Sequence, residues 1–216
     1  MHYSSEQLII FFAFLPILVA SVTGAIKFKK LDTPLKLLSF LIFFALIIES
    51  ISRILWLYKI SNLFLWPVYV NVEFAFLIWI YSMELQNKFL SKLKIWLIML
   101  FTAYVSYKTL QVSSRINLID NSGRLVESIV LISIILFYYY KLYVNQPLSN
   151  LWSTPMFCVS TGLLIFFAGN FFIFLFINFI LQYSQKLNYQ IWIIHASLNC
   201  VLYLIYTFAL WKSPQN

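Results

Sequence analysis

The stretch IWIIHASLNCVLYLIYTFALW, from Ile191 to Trp211, decides the fold class of this chain. It is about as long as one bilayer crossing and contains no Asp, Glu, Lys or Arg. Its polar and large aromatic side chains recur at spacings of three and four: Trp192, His195, Asn199, Tyr203 and Tyr206. On a helix these side chains form one stripe, and the other faces are almost wholly apolar. The stretch therefore predicts a transmembrane helix whose polar stripe faces protein or a water-filled cavity.

The composition extends this prediction to the whole chain of 216 residues. Hydrophobic residues make up 62% and charged residues only 10%, whereas soluble domains are about a quarter charged. Lys and Arg exceed Asp and Glu by 15 to 7, but the cations lie mostly in short loops between apolar runs. That pattern is typical of membrane topology rather than of nucleic-acid binding, so we expect a lipid bilayer as the main partner and no nucleic acid. Cys158 and Cys200 fall inside apolar runs, and we expect free thiols.

Six further apolar runs precede the last one, at about Leu8–Ile26, Leu35–Tyr58, Leu63–Met83, Ile95–Tyr107, Leu125–Val144 and Pro155–Leu181. The first run has no Lys or Arg before it and is followed by Lys27, Lys29 and Lys30, which favours a retained helix over a cleaved signal peptide. Pro16 predicts a kink in that helix. The sequence thus predicts an all-α polytopic integral membrane protein. Its seven transmembrane helices form a single domain, residues 1–216, in which six helices enclose the stripe of the seventh.

The distribution of loop cations predicts the orientation. With the N-terminus outside, nine cations lie inside: Lys27, Lys29, Lys30, Lys36, Lys88, Lys92, Lys94, Lys141 and Lys212. Five then lie outside: Lys59, Lys108, Arg115, Arg124 and Lys186. We therefore predict a multi-pass protein of the cell (inner) membrane with its N-terminus outside and its C-terminus cytoplasmic. Asn121 is then outside and Lys94 inside.

The candidate ligand-binding residues are polar side chains within the apolar runs: Glu49, Arg53, Glu73, Asn170, His195 and Asn199. An ionisable side chain at the bilayer centre costs about 2.5 kcal/mol or more, so each requires a partner or water. Convergence on one polar pocket in the outer half of the membrane would satisfy them together. The alternatives are a structural i,i+4 ion pair between Glu49 and Arg53, and interhelical hydrogen bonds for His195 and the asparagines.

Glu73 stands apart because it is near mid-membrane and has no cation at helical spacing. It either pairs across helices, with Arg53 or His195, or is held protonated by desolvation. We expect His195 and Glu73 to share one polar site. Glu127, by contrast, is three residues after Arg124 at the start of the fifth run, and this spacing favours an interfacial ion pair over a functional role.

The sequence lacks the residues that retinal proteins, metalloenzymes and serine hydrolases require. A retinal protein would need a Lys inside the seventh helix, and Lys212 lies past its end. The chain has only two His and no His-Glu-x-x-His, so we expect no metal and no other cofactor. Ser197 is two residues from His195, which places the two side chains on different faces of a helix. We name no catalytic residue, and an intramembrane enzyme stays a minor alternative.

The end of the chain resembles the closing two helices of seven-helix membrane regions in Bacteroidota proteins, some of them fused to sensor histidine kinases. The resembling features are the Gly169-Asn170 step, Asn178, and the pattern of Trp192, His195, Asn199 and Tyr203. The resemblance covers about a quarter of the chain and implies a sensor-type module. This chain ends just after the seventh helix, so we expect any output domain to be a separate partner protein.

These observations favour a receptor-like or accessory signalling module with an outward-facing polar pocket. The main alternative is a small-solute or proton transporter or channel subunit that uses Glu49, Glu73 and His195 as a relay. A transporter should carry polar residues through to the inner face, and the inner halves of these runs are poor in them.

Overall fold

The computed structural model describes residues 12–112, 121–145, 151, 154–183 and 185–213, and the regular elements of this part of the chain are all helical. We number the α-helices α1 to α7 in chain order: Leu15–Lys27, Thr33–Leu57, Leu65–Glu84, Lys88–Val112, Ser122–Asn145, Pro155–Tyr183 and Gln185–Lys212. A 3₁₀ turn, Phe28–Lys30, follows α1. The prediction of an all-α fold is confirmed.

Six of these helices, α2 to α7, are long and apolar enough to cross a membrane, which suggests a multi-pass membrane protein. The first predicted run begins at Leu8, outside the described residues, and α1 has 13 described residues. The predicted seven crossings therefore stay a prediction, as does the orientation. The helix α4 is much longer than its predicted run of Ile95–Tyr107. Hydropathy marks only the apolar part of a helix, whereas α4 continues into polar residues at both ends.

Local side-chain chemistry sets the helix boundaries. The side chain of Asp32 accepts a hydrogen bond from the Leu35 amide at 3.1 Å and caps the start of α2. The side chain of Asn87 does the same for α4, accepting from the Phe89 amide at 2.8 Å. The ammonium group of Lys141 donates to the carbonyl of Leu85 at the end of α3, where a cation also complements the helix dipole.

One compact unit contains α1, α6 and α7, in which α7 packs against α6 and α1. The two helices α6 and α7 approach closely at Gly169, where a β-carbon would lie 2.7 Å from Cδ1 of Leu198. In the polar stripe of α7, Tyr203 and Tyr206 are buried, whereas Leu204 on another face is exposed. The predicted inward direction of the stripe is confirmed for these two tyrosines.

The second unit contains α2 to α5, with α3 packed against each of the other three helices. Its core is largely apolar, and the rings of Phe74 on α3 and Phe101 on α4 stack with their centroids 4.0 Å apart. The last turns of α2 and α4 and the first turns of α3 and α5 lie at the same end of the unit, which we call the Asn121 end. Asn121 itself is buried there, although it precedes the fifth predicted apolar run.

Candidate functional site

The α2–α5 unit contains a buried ionic cluster of Glu73, Arg124 and Glu127. The Nη1 atom of Arg124 donates to Oε2 of Glu73 and, at 2.6 Å, to Oε2 of Glu127. The side chains of these three residues are 3%, 2% and 0% exposed. Glu73 also accepts a hydrogen bond from the Tyr69 hydroxyl through Oε1, at 3.1 Å. The cluster therefore joins the middle of α3 to the first two turns of α5.

Helical spacing explains how each helix contributes. Tyr69 and Glu73 are four residues apart on α3, and Arg124 and Glu127 are three apart on α5, so each pair shares a face. The Ser128 hydroxyl donates to the Arg124 carbonyl at 2.7 Å and is satisfied within its own helix. Because α3 and α5 pack directly together, these two faces meet.

Two aromatic rings lie against the guanidinium group. The Cζ atom of Arg124 is 5.6 Å from the ring centroid of Trp66 and 5.7 Å from that of Tyr69. Both distances fall within the range of cation–π attraction, about 0.5–2 kcal/mol each. These rings and the two carboxylates surround the guanidinium group and are well matched to its positive charge.

The cluster has more negative than positive charge. Two carboxylates and one guanidinium give a formal charge of −1, and both carboxylates contact the same nitrogen. The carboxylates are thus within about 6 Å of each other, twice the length of a charge-assisted hydrogen bond. At that separation two unit charges repel by about 3 kcal/mol at an effective dielectric constant of 20. The buried Oε1 of Glu127 has no hydrogen-bond partner within the described ranges to offset this repulsion.

A second polar group in the α1, α6, α7 unit is centred on His195. Asn170 donates through Nδ2 to the Phe166 carbonyl at 2.9 Å, so its Oδ1, 2.5 Å from Nδ1 of His195, is an acceptor. Nδ1 of His195 must then carry a proton, and Nε2 accepts from Asn199 at 3.1 Å. The ring also contacts Trp192 edge to face. Both nitrogens of His195 are therefore satisfied in its neutral form, which fits an interhelical packing residue.

The third group is the pair on α2. Nη1 of Arg53 donates to Oε2 of Glu49 at 2.6 Å, which is the predicted i,i+4 ion pair. The two side chains are 19% and 38% exposed, so this pair lies on the outside of the unit rather than in its core.

The six predicted site residues therefore fall into three groups. Glu49 pairs with Arg53, Glu73 belongs to the ionic cluster, and Asn170, His195 and Asn199 form a chain of hydrogen bonds. The described hydrogen bonds of Glu73 and of His195 go to other residues, so a shared site for these two stays a prediction. The cation that pairs with Glu73 is Arg124, not Arg53 or His195 as the sequence suggests. The side chain of Asn178 lies outside the described residues.

The structure contains the predicted ion pair of Arg124 and Glu127, but both side chains are buried and Arg124 also contacts Glu73. The position of this pair relative to the membrane interface stays a prediction. Hydropathy places Arg124 in the loop before the fifth run, but α5 begins at Ser122 and its first turns are covered by α3. One feature of the sequence did indicate a buried ion pair at this position. A mid-membrane carboxylate such as Glu73, without a cation on its own helix, requires a cation from another helix. Nothing in the sequence selects Arg124 as that cation or indicates the contacts of Trp66 and Tyr69.

No protein-family model, curated protein or solved structure matches this chain.

Proposed function

We propose that this protein is a receptor-like or accessory signalling module of the cell (inner) membrane, and that the ionic cluster is its responsive centre. The observation that carries this proposal is the buried contact of Arg124 with carboxylates on two helices. A change of charge at this cluster alters how α3 and α5 are held together, and a differential interaction of this kind can shift a two-state equilibrium.

The core of the same unit favours signalling over transport. Between the ionic cluster and the end of the unit away from Asn121, the buried residues that α3 and α5 contribute are mostly apolar: Phe74, Leu77, Ile78, Leu131 and Ile135. A path for ions or polar solutes would need polar groups or water through this region. The cluster therefore supports a site that is reached from one side of the membrane, as expected for a receptor.

We propose seven crossings with the N-terminus outside, which places the Asn121 end and the ionic cluster in the outer half of the membrane. Arg124 is buried, so we leave it out of the count of loop cations. Nine loop cations then lie inside and four outside, which strengthens the excess of Lys and Arg on the inner side. Because Asn121 is buried, Gln111 and Lys92 are better reporter positions, as both are exposed. In a background without Cys158 and Cys200, an impermeant thiol reagent should label Gln111→Cys but not Lys92→Cys in intact cells. The reverse pattern would invert the orientation.

The signalling role is tested by replacing the chromosomal copy with Glu73→Gln in the organism that encodes it. We expect a defined set of transcripts to change, with membrane levels of the protein unchanged. Glu49→Gln, which alters the exposed pair instead, is the matched control and should leave those transcripts unaffected. The same two variants, in proteoliposomes, test transport. A proton or solute flux that is present in the unmodified protein and lost in Glu73→Gln would replace the signalling proposal by the transporter.

A further inference from the structure

The ionic cluster lacks one positive charge. Its two carboxylates share the Nη1 atom of Arg124, and its three side chains are almost completely buried. Both oxygens of Glu73 are engaged, one by Arg124 and one by Tyr69. Glu127 is engaged only through Oε2, and its Oε1 has no hydrogen-bond partner in the described part of the chain. The unsatisfied acceptor of the cluster is therefore Oε1 of Glu127.

A second orphaned group lies at the same end of α5. Asn121 is 4% exposed, and neither polar atom of its side-chain amide has a hydrogen-bond partner among the described residues. At helical spacing, Asn121 shares a face with Arg124 and Ser128 and precedes Arg124 by one turn. Buried amides are nearly always hydrogen-bonded, so Asn121 is a second unsatisfied buried polar group in the first turns of α5.

One cation and one carboxylate among the described residues act on Glu127. The charged groups that act on it are Arg124 from its own helix and Glu73 from α3. The other helix packed against α5 is α4, which meets it with Val105 beside Gly123. Around Val105, α4 carries the titratable residues Tyr104, Tyr107 and Lys108.

We propose that the ionic cluster binds one monovalent cation at Oε1 of Glu127. This inference deepens the proposed function and rests on it, because it names the ligand class of the same responsive centre. The shared chemistry is a single positive charge on a carboxylate oxygen, and it has two possible sources. A proton needs only the oxygen itself, whereas a sodium ion would require further oxygen ligands.

The test uses the purified full chain in detergent, with melting followed by tryptophan fluorescence. One arm exchanges N-methylglucamine chloride for sodium chloride at constant ionic strength. The other arm varies the pH from about 5 to about 9 without sodium. If sodium is the ligand, the melting temperature rises by several degrees as sodium reaches a hundred times its Kd. If a proton is the ligand, sodium has no effect and the melting temperature falls as the pH rises.

Glu127→Gln should abolish the response to sodium or to pH, whichever is seen. With a neutral amide at this position, the single negative charge of Glu73 is balanced by Arg124 and no further cation is needed. The control Glu49→Gln should keep the full response. Equal responses in the unmodified protein and in Glu127→Gln would overturn the proposal. If Glu127→Gln does not fold, measurements on the unmodified protein alone still test the proposal. A complete lack of sodium response, together with an infrared spectrum that shows no band of a buried protonated carboxylic acid, would also overturn it. Either failure would leave the transcript changes expected for Glu73→Gln unaffected, so the two proposals can fail separately.

Discussion

Substitution of Arg124 by Gln isolates the role of charge in the ionic cluster. The change keeps a shorter polar side chain but removes the cation that contacts Glu73 and Glu127 among the described residues. Two buried carboxylates then remain, with a formal charge of −2 in place of −1. Removing one partner of a buried ion pair typically costs about 3–5 kcal/mol, because the remaining charge is uncompensated. We expect Arg124→Gln to destabilise the protein by at least this amount.

Glu127→Gln should behave very differently. It loses a hydrogen bond to a charged donor, worth about 1.5–3 kcal/mol. It also removes the repulsion between the two carboxylates, about 3 kcal/mol at their separation. These two effects nearly cancel, and the pair of Glu73 and Arg124 remains neutral. We therefore expect Glu127→Gln to change stability by no more than about 1 kcal/mol, and to relieve much of the cost of Arg124→Gln when the two are combined.

The assay is reversible unfolding in mixed micelles with increasing dodecyl sulfate, followed by circular dichroism and fitted as a two-state transition. Arg53→Gln is the matched control, because it removes an arginine from an ion pair that is partly exposed. If Arg124→Gln costs no more than Arg53→Gln, the cluster does not depend on its cation. If Glu127→Gln costs as much as Arg124→Gln, the argument from excess negative charge is wrong.

Three further outcomes are expected. Glu49→Gln and Arg53→Gln should each reduce stability by about 1 kcal/mol or less, with the double change milder than the sum, because the pair is partly exposed. At neutral pH, ¹⁵N NMR of His195 should show the proton on Nδ1, and Asn170→Leu should abolish that preference because it removes the acceptor. Gly169→Val should lower stability by about 1–3 kcal/mol, because its β-carbon enters space already occupied by α7.

Each of these outcomes has a control and a contrary result. Strict additivity of the two α2 substitutions would show that their side chains do not interact. For the NMR experiment His2 is replaced, and an unchanged tautomer in Asn170→Leu would contradict the assigned hydrogen bond. For the glycine, Ile165→Val on the exposed face of the same helix is the control. Equal stability of the two α6 variants would show that α6 and α7 do not approach as closely as the structure indicates.

The sequence by itself determined the features that depend on neighbouring residues. Apolar runs of membrane length predicted α2, α3, α5 and α6 to within a few residues, since hydropathy and helical period are local properties. The helix α7 begins at Gln185, six residues before its predicted run. The pair of Glu49 and Arg53 was also predictable, because a spacing of four fixes which side chains meet on one helix. The helix α4 extended beyond its prediction because hydropathy does not detect polar helix ends, such as the one that Asn87 caps.

Only the tertiary structure decided which polar groups meet across helices. Glu73 and Arg124 are 51 residues apart in the chain, and no periodicity links positions on different helices. The sequence showed that Glu73 needed a partner, because a lone carboxylate in the membrane is costly. The choice of Arg124 over Arg53 or His195 depends on the packing of α3 against α5, which brings the buried Arg124 to Glu73. Packing of this kind is a property of helix surfaces in three dimensions, and so the ionic cluster emerges only in the folded protein.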